Sequence, residues 1–282
     1  NEKEDPVSKS DISTDNLKMW LDASEGTGIQ RDSAGKVSGW ESQVTGDYHA
    51  TMTSEGSQPL YQEGVLNGLG GIVFNGTNSY LDYANSVYAN KSYTIYIVES
   101  RRSTKSSNYM LGSKNTSSYR QYLGYNSNTS MHMNGYSYTK YETISGYSSS
   151  VTRIWELSYN TETDQHRWQI NGGEVLHEGT YSYGARDESG GYLGRYSSYY
   201  YDGVIGEVMI YDTELNKSER KKISRYLGEK WGVSIAKDEY GRMQISGDYE
   251  QGLNGKTVLE LTGADEGEYD AIEVTGEYSL GG

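Results

Sequence analysis

The stretch that most constrains this chain runs from residue 203 to 233, GVIGEVMIYDTELNKSERKKISRYLGEKWGV. A period of two puts Val204, Val208 and Ile210 on one side and Ile205, Met209 and Tyr211 on the other, so a strand covered on both faces is expected. A helix should follow at once. Asn216 can cap its first turn, with Glu219 three residues on completing a capping box. Ile223, Tyr226, Leu227 and Trp231 then recur at helical spacing until Gly232 ends the run. No other helix is as clearly signalled. One short helix beside a strand, in a chain otherwise full of short strands, predicts a closing element on a β-sandwich and not an α/β unit.

Along the chain, residues 1–16 are polar, charged and interrupted by Pro6, and read as a flexible lead-in. LKMWLDAS begins the ordered part, with Leu17, Met19 and Leu21 sharing a face. Ile72 and Phe74, then Tyr93, Ile95 and Ile97, alternate as half-buried strands do. RIWELSYN and HRWQING predict a hairpin around the polar turn TETDQ. From about residue 234 the texture changes to short alternating strands, MQIS, TVLEL and AIEVTG, separated by Gly, Asn and Asp turns.

Four stretches in order, LKMWLDAS, GKVSGWESQVTGDYHATM, GGIVFNGTNSYL and the strand-plus-helix ending, together resemble the concanavalin-like or laminin-G-like jelly-roll family of large bacterial surface proteins. The resemblance spans roughly residues 17–233. It implies an all-β fold of two packed antiparallel sheets with one short C-terminal helix, often used to hold carbohydrate or a protein partner and sometimes a calcium ion. Residues 234–282 resemble a rung and a half of the parallel β-helix of autotransporter-like passenger regions, where a GDY…L.L.G…YD.I.V.G…LGG pattern recurs. That implies a small solenoid-like segment after the sandwich. A lone rung leaves apolar faces open, so it implies stacking on an adjacent domain or on a second copy.

The charge and composition narrow the function. A net charge of −14 without a sustained basic patch excludes nucleic acid as a natural partner, because binding phosphates needs Lys and Arg to displace counterions. With no cysteine, disulfides, thiolate-held metals and thiol nucleophiles are all absent. No apolar run is long enough to cross a bilayer, so membrane insertion is not expected. The start NEKEDPVSKS, lacking methionine and a signal-like core, reads as that of a processed or trimmed chain. The resemblance places it outside the cell or on its surface.

Catalysis is not expected. The polysaccharide hydrolases of this fold place their carboxylates as Glu-x-Asp-x-x-Glu, and the nearest segment here, Glu162 to Arg167, has arginine in the last position and falls in a turn. The four histidines, His49, His132, His166 and His177, are scattered without metal-ligand spacing. His49 reads as a structural hydrogen-bonding residue and the others as surface positions. Calcium suits the oxygen-rich loops better than other metals, with Asn75, Asp82 and Asp202 as candidate ligands. Against this, Asn75-Gly76 and Asp202-Gly203 are also ordinary tight-turn dipeptides.

Aromatic bulk comes almost wholly from tyrosine, 29 residues against a single phenylalanine. Tyrosine, serine, glycine and asparagine are the vocabulary of adaptable recognition loops. A ligand groove is expected from Tyr119, Tyr122, Tyr125, Tyr136, Tyr138, Tyr141, Tyr199, Tyr200 and Tyr201, with Arg195 and Arg120 adding donors. The competing expectation is that alternate tyrosines fill the core in place of the missing phenylalanines. The sequence thus points to a non-catalytic binding module for a glycan or glycoprotein. The alternative is a structural subunit of an extracellular fibre or stalk that assembles through its C-terminal strands.

Overall fold

The computed structural model describes residues 6–44, 46, 48–116, 121–135, 138–144, 148–180, 189–235, 242–245, 249–251, 271–274 and 278–280. Two large sheets face each other, with every pairing inside them antiparallel. The first has eight strands. Its central strand, Asp202–Tyr211, lies between Tyr93–Arg101 on one side and both Leu69–Asn75 and Leu17–Asp22 on the other. The hairpin Arg153–Tyr159 with Gln165–Ile170 extends this sheet, turning where TETDQ predicts. The second sheet has nine strands and runs from Tyr138–Thr143 through Gln121–Ser127, Asn108–Ser113 and Gly191–Leu193 to Ile29–Arg31.

Between the sheets lies a core of Met19, Leu21, Ile72, Phe74, Ile95, Ile97, Trp155, Val208 and Ile210 from the first and Trp40, Leu81, Leu111, Leu123, Met131 and Leu193 from the second. A second apolar layer covers the outer face of the first sheet, where Trp20, Val73, Tyr96, Val98, Val204 and Met209 meet Ile223, Tyr226, Leu227 and Trp231 of the helix Lys217–Trp231. The central strand is therefore buried on both faces, as its composition requires. The helix has its expected caps: the Asn216 side chain accepts from the Glu219 amide, Glu219 reciprocates, and Gly232 takes the left-handed conformation at φ 64°.

The facing of that strand differs from a simple alternation. Ile205, Val208 and Ile210 point into the core, whereas Val204, Met209 and Tyr211 point to the helix. The cause is a bulge between Ile205 and Glu207, which adds a residue and switches the parity of everything after it. Gly206 sits in the bulge because a side chain there would meet the Trp231 ring, 2.6 Å from where its Cβ would lie.

The lead-in is also packed where it is described. Ile12 is buried in the helix-side layer, and the Val7 amide donates to Glu229 on the helix, so residues 6–16 belong to the domain and are not a free linker. Beyond the helix, Arg242–Ile245 pairs in parallel with Ala271–Val274, and Tyr249–Gln251 in parallel with Tyr278–Leu280. Arg242 faces Ala271 and Tyr249 faces Tyr278, the same step of 29 residues. These are two short ladders and not a solenoid among the described residues; the expected strand TVLEL falls outside them.

Candidate functional site

Among the described residues the outer face of the second sheet has no helix over it. Tyrosine covers it instead. On neighbouring strands, Tyr109 and Tyr122 pack edge to face at 5.2 Å between ring centres, and His132 joins them, hydrogen-bonded to the Tyr109 hydroxyl at 2.9 Å and the Tyr122 hydroxyl at 3.0 Å. Tyr141, opposite His132 in the register, stacks on its ring at 4.1 Å. The small hairpin Arg195–Tyr196 with Tyr199–Tyr200 folds across this surface, setting Tyr196 on Tyr122 at 4.1 Å. Its backbone can lie so close because Gly112 is beneath it: a Cβ there would be 2.5 Å from the Arg195 carbonyl oxygen. Burial raises the Tyr109 phenol above its ordinary pKa, in keeping with its place beneath the surface as a support hydrogen-bonded to His132.

At the other end of the hairpin the Arg195 guanidinium lies among three half-buried rings, 4.6 Å from Tyr80, 4.8 Å from Tyr192 and 5.2 Å from Tyr200. Tyr199 (47% exposed) and Tyr141 (54% exposed) are the most open rings of the stripe. The result is a band of phenol edges, one guanidinium and apolar ring faces at the water boundary, which can stack against C–H surfaces and hydrogen-bond hydroxyls.

Of the residues expected from sequence, Tyr122, Tyr141, Arg195, Tyr199 and Tyr200 come together here, Tyr122 as a buried support. Tyr125 and Tyr201 do not. Both are fully buried between the sheets, where their hydroxyls donate to Glu99, because strand alternation turns each away from its outward neighbour. Tyr119, Tyr136 and Arg120 lie outside the described residues; Tyr138 is in the strand pairing with Ser130–Gly135, and its side chain is not described. Sequence reasoning missed Tyr80, Tyr109, Tyr192 and Tyr196, which reach the stripe from strands distant in sequence. It also placed His132 and His166 on the surface, whereas each is buried at 5% exposure, His166 stacked on Tyr159. His49 does hold structure, its Nδ1 accepting from the Ser42 amide at 3.0 Å.

The calcium candidates are not brought into one ligand set. Asn75 and Asp202 are cross-strand neighbours, but the Asn75 side-chain oxygen accepts from the amides of Thr77, Asn78 and Ser79, closing the turn. Asp82 lies in the second sheet and pairs with Lys114 at 3.2 Å. Among the described residues no three of His, Cys, Asp and Glu gather to hold a metal.

A second polar region lies under the helix. Glu207 is buried and accepts from the indole N–H of Trp20 and of Trp231, each at 2.6 Å, and from Lys230 Nζ at 2.7 Å. Lys230 also donates to Asp22 at 2.6 Å. Burial, then the Asp22 charge, raises the Glu207 pKa against the pull of Lys230. For Asp22, burial also acts upward, but the Lys230 charge and hydrogen bond together with Ser24 outweigh it and hold the carboxyl below its ordinary range. A cleft of about 600 Å³ opens beside this group, lined by Lys9, Asp22, Glu25, Glu41, Tyr226 and Lys230 among others.

No protein-family model and no curated protein sequence matches this chain. Among solved structures, Trypanosoma rangeli sialidase aligns with a TM-score of 0.53 at 14% identity, over 82% of this chain and 36% of the sialidase. The chain therefore spans about a third of the length of the sialidases it resembles. Domain 4 of AbnA, a GH43 extracellular arabinanase from Geobacillus stearothermophilus solved with arabinotriose, aligns with a TM-score of 0.53 at 16% identity, over 74% of this chain and 98% of that one. At these identities the likeness is one of architecture, and with the two antiparallel sheets it identifies the chain as an all-β sandwich.

Proposed function

We propose that this protein is a non-catalytic extracellular binding module that holds a carbohydrate or glycoprotein on the tyrosine stripe of its second sheet. The observation that carries this reading is the Arg195 guanidinium set among Tyr80, Tyr192 and Tyr200 beside the open rings of Tyr199 and Tyr141. A sugar offers both kinds of surface that such a band can meet, apolar C–H faces for the rings and hydroxyls for the phenol and guanidinium donors. Domain 4 of the arabinanase, a sandwich of similar fold, was solved with an oligosaccharide, which supports the class of ligand. The non-catalytic part of this reading is supported by Glu162 and Asp164, which lie in the turn between two strands, where Asp164 accepts from the Tyr159 hydroxyl.

The test is a glycan array carrying arabino-oligosaccharides and sialosides, followed by titration of any hit. Tyr199→Ala and Arg195→Ala should each weaken binding about tenfold or more, since each hot-spot contact is worth about 2 kcal/mol. Tyr125→Phe, in the core, should leave it unchanged. Binding that ignores Tyr199 and Arg195 sinks the proposal, as does release of reducing sugar from a glycan that binds.

A structural role in a fibre or stalk is the second reading. It is favoured by the two parallel ladders with one common step, since a repeated strand pair presents edges that another copy or domain can continue. Concentration-dependent light scattering that disappears when residues 242–282 are deleted would favour it over the first.

A further inference from the structure

We propose that Lys230 and Asp22 condense into an intramolecular amide that ties the first strand of the sandwich to its helix, with Glu207 carrying the protons. The fold holds the amine against both carboxylates. Lys230 Nζ lies 2.6 Å from Asp22 Oδ2 and 2.7 Å from Glu207 Oε2. The Asp22 and Glu207 side chains are 6% and 0% exposed, and Lys230 only 17%. The pairs of Lys18 with Asp212, Lys36 with Glu55, Lys91 with Asp212 and Lys114 with Asp82 differ in kind, since each lysine is more than a third exposed and water solvates the charges. The buried Glu156 is paired with Arg220, whose guanidinium does not give up its proton to become a nucleophile.

The two carboxylates have separate parts. Glu207 is fixed by the indoles of Trp20 and Trp231, one on each oxygen, and would forfeit those bonds if it were consumed. Asp22 Oδ2 accepts from the amine, while Oδ1 accepts from the Ser24 amide at 3.0 Å. That amide is placed to stabilise the oxygen on which charge develops when nitrogen adds to the carboxyl carbon.

The step balances without any outside reagent. Glu207 takes a proton from the ammonium, the neutral amine forms a C–N bond to Asp22 Cγ, and Glu207 returns the proton to Oδ2. A second proton follows from nitrogen by the same route, the Cγ–Oδ2 bond breaks, and water leaves into the adjoining cleft. Ammonium plus carboxylate thus become amide plus water, with Glu207 restored. Its raised pKa suits it to hold the proton in transit. Two effects favour the product. The fold has already brought the groups together across 208 residues of sequence, and a neutral amide replaces a desolvated ion pair. In a chain with no cysteine, such a bond supplies the cross-link that a disulfide would otherwise give.

Intact mass spectrometry of the full denatured chain tests this. The wild-type protein should be lighter by one water, and proteolysis should release a branched peptide joining the segments around Asp22 and Lys230. Glu207→Gln should keep the full mass. Because that substitution removes an acceptor from two indoles and can unfold the layer, Lys230→Arg is the second variant; it keeps the charge, lacks the nucleophile and should also keep the full mass. Near-ultraviolet circular dichroism establishes that each sample is folded. A folded wild-type chain at unmodified mass overturns the proposal. So does a water loss mapping to a succinimide at Asp22-Ala23, a branch at Glu207, or a branch that still forms in Glu207→Gln.

Discussion

Each of the two sheets buries one face against the other, and each must then dispose of a second face. The first sheet does so with a helix whose Tyr226, Leu227 and Trp231 seal Trp20 and Met209 from water, leaving a few charges locked in fixed pairs. The second does so with its own Tyr109 and Tyr122, propped by His132 and roofed by Tyr196 of a short hairpin. A lid built around Trp231 and Leu227 closes a surface. A phenolic one leaves polar edges at the boundary and so keeps the surface usable, which is why the proposed ligand site is assigned to the second sheet and the proposed cross-link to the first.

The contrast can be broken or sharpened by substitution. The largest effect is expected at Glu207→Ala, which leaves two buried indole N–H groups without their acceptor and Lys230 with Asp22 in place of two carboxylates, and should cost about 3–5 kcal/mol in urea unfolding. A loss below about 1 kcal/mol would mean that water reaches the helix-covered face. Alkaline pH should come next. Burial raises the phenol pKa of Tyr83 and Tyr93 well above the ordinary value, so the stability they contribute is intact below about pH 10 and is lost as pH rises, by about 1.4 kcal/mol per pH unit for each. The tyrosinate absorbance of these two buried rings should then appear with unfolding and not before it. Gly206→Ala, which presses a methyl group into Trp231, should cost about 1–3 kcal/mol in thermal denaturation. Tyr122→Phe removes one hydrogen bond to His132 and should cost about 1 kcal/mol. If it matched Glu207→Ala, the tyrosine face would be as closed as the helical one. Tyr199→Ala should change stability by less than about 0.5 kcal/mol, because the ring is half in water, while weakening glycan binding about tenfold or more.

Much of the first face was legible in the sequence. Asn216, Glu219 and Gly232 bound the helix correctly, because caps act within one turn and need no tertiary partner. On the second face the run Arg195–Tyr201 alone could not say that Tyr196 is buried and Tyr201 turns inward to Glu99 while Tyr199 stays out. Tyr80, Tyr109 and Tyr192 carried no local signal that distinguished them from core tyrosines such as Tyr88 and Tyr93.

What the sequence determined by itself was the set of elements: short strands of alternating pattern, one capped helix, and an aromatic content made of tyrosine. Those follow from spacing and side-chain type over a few residues. Only the tertiary structure decided which side each residue faces and which distant groups meet. A one-residue bulge beside Gly206 reverses the facing of the central strand, and strand pairing brings Asp22 to Lys230 across 208 residues. The reason is that a strand's two faces are equivalent until a partner sheet covers one of them, so its chemistry is assigned by packing and not by pattern.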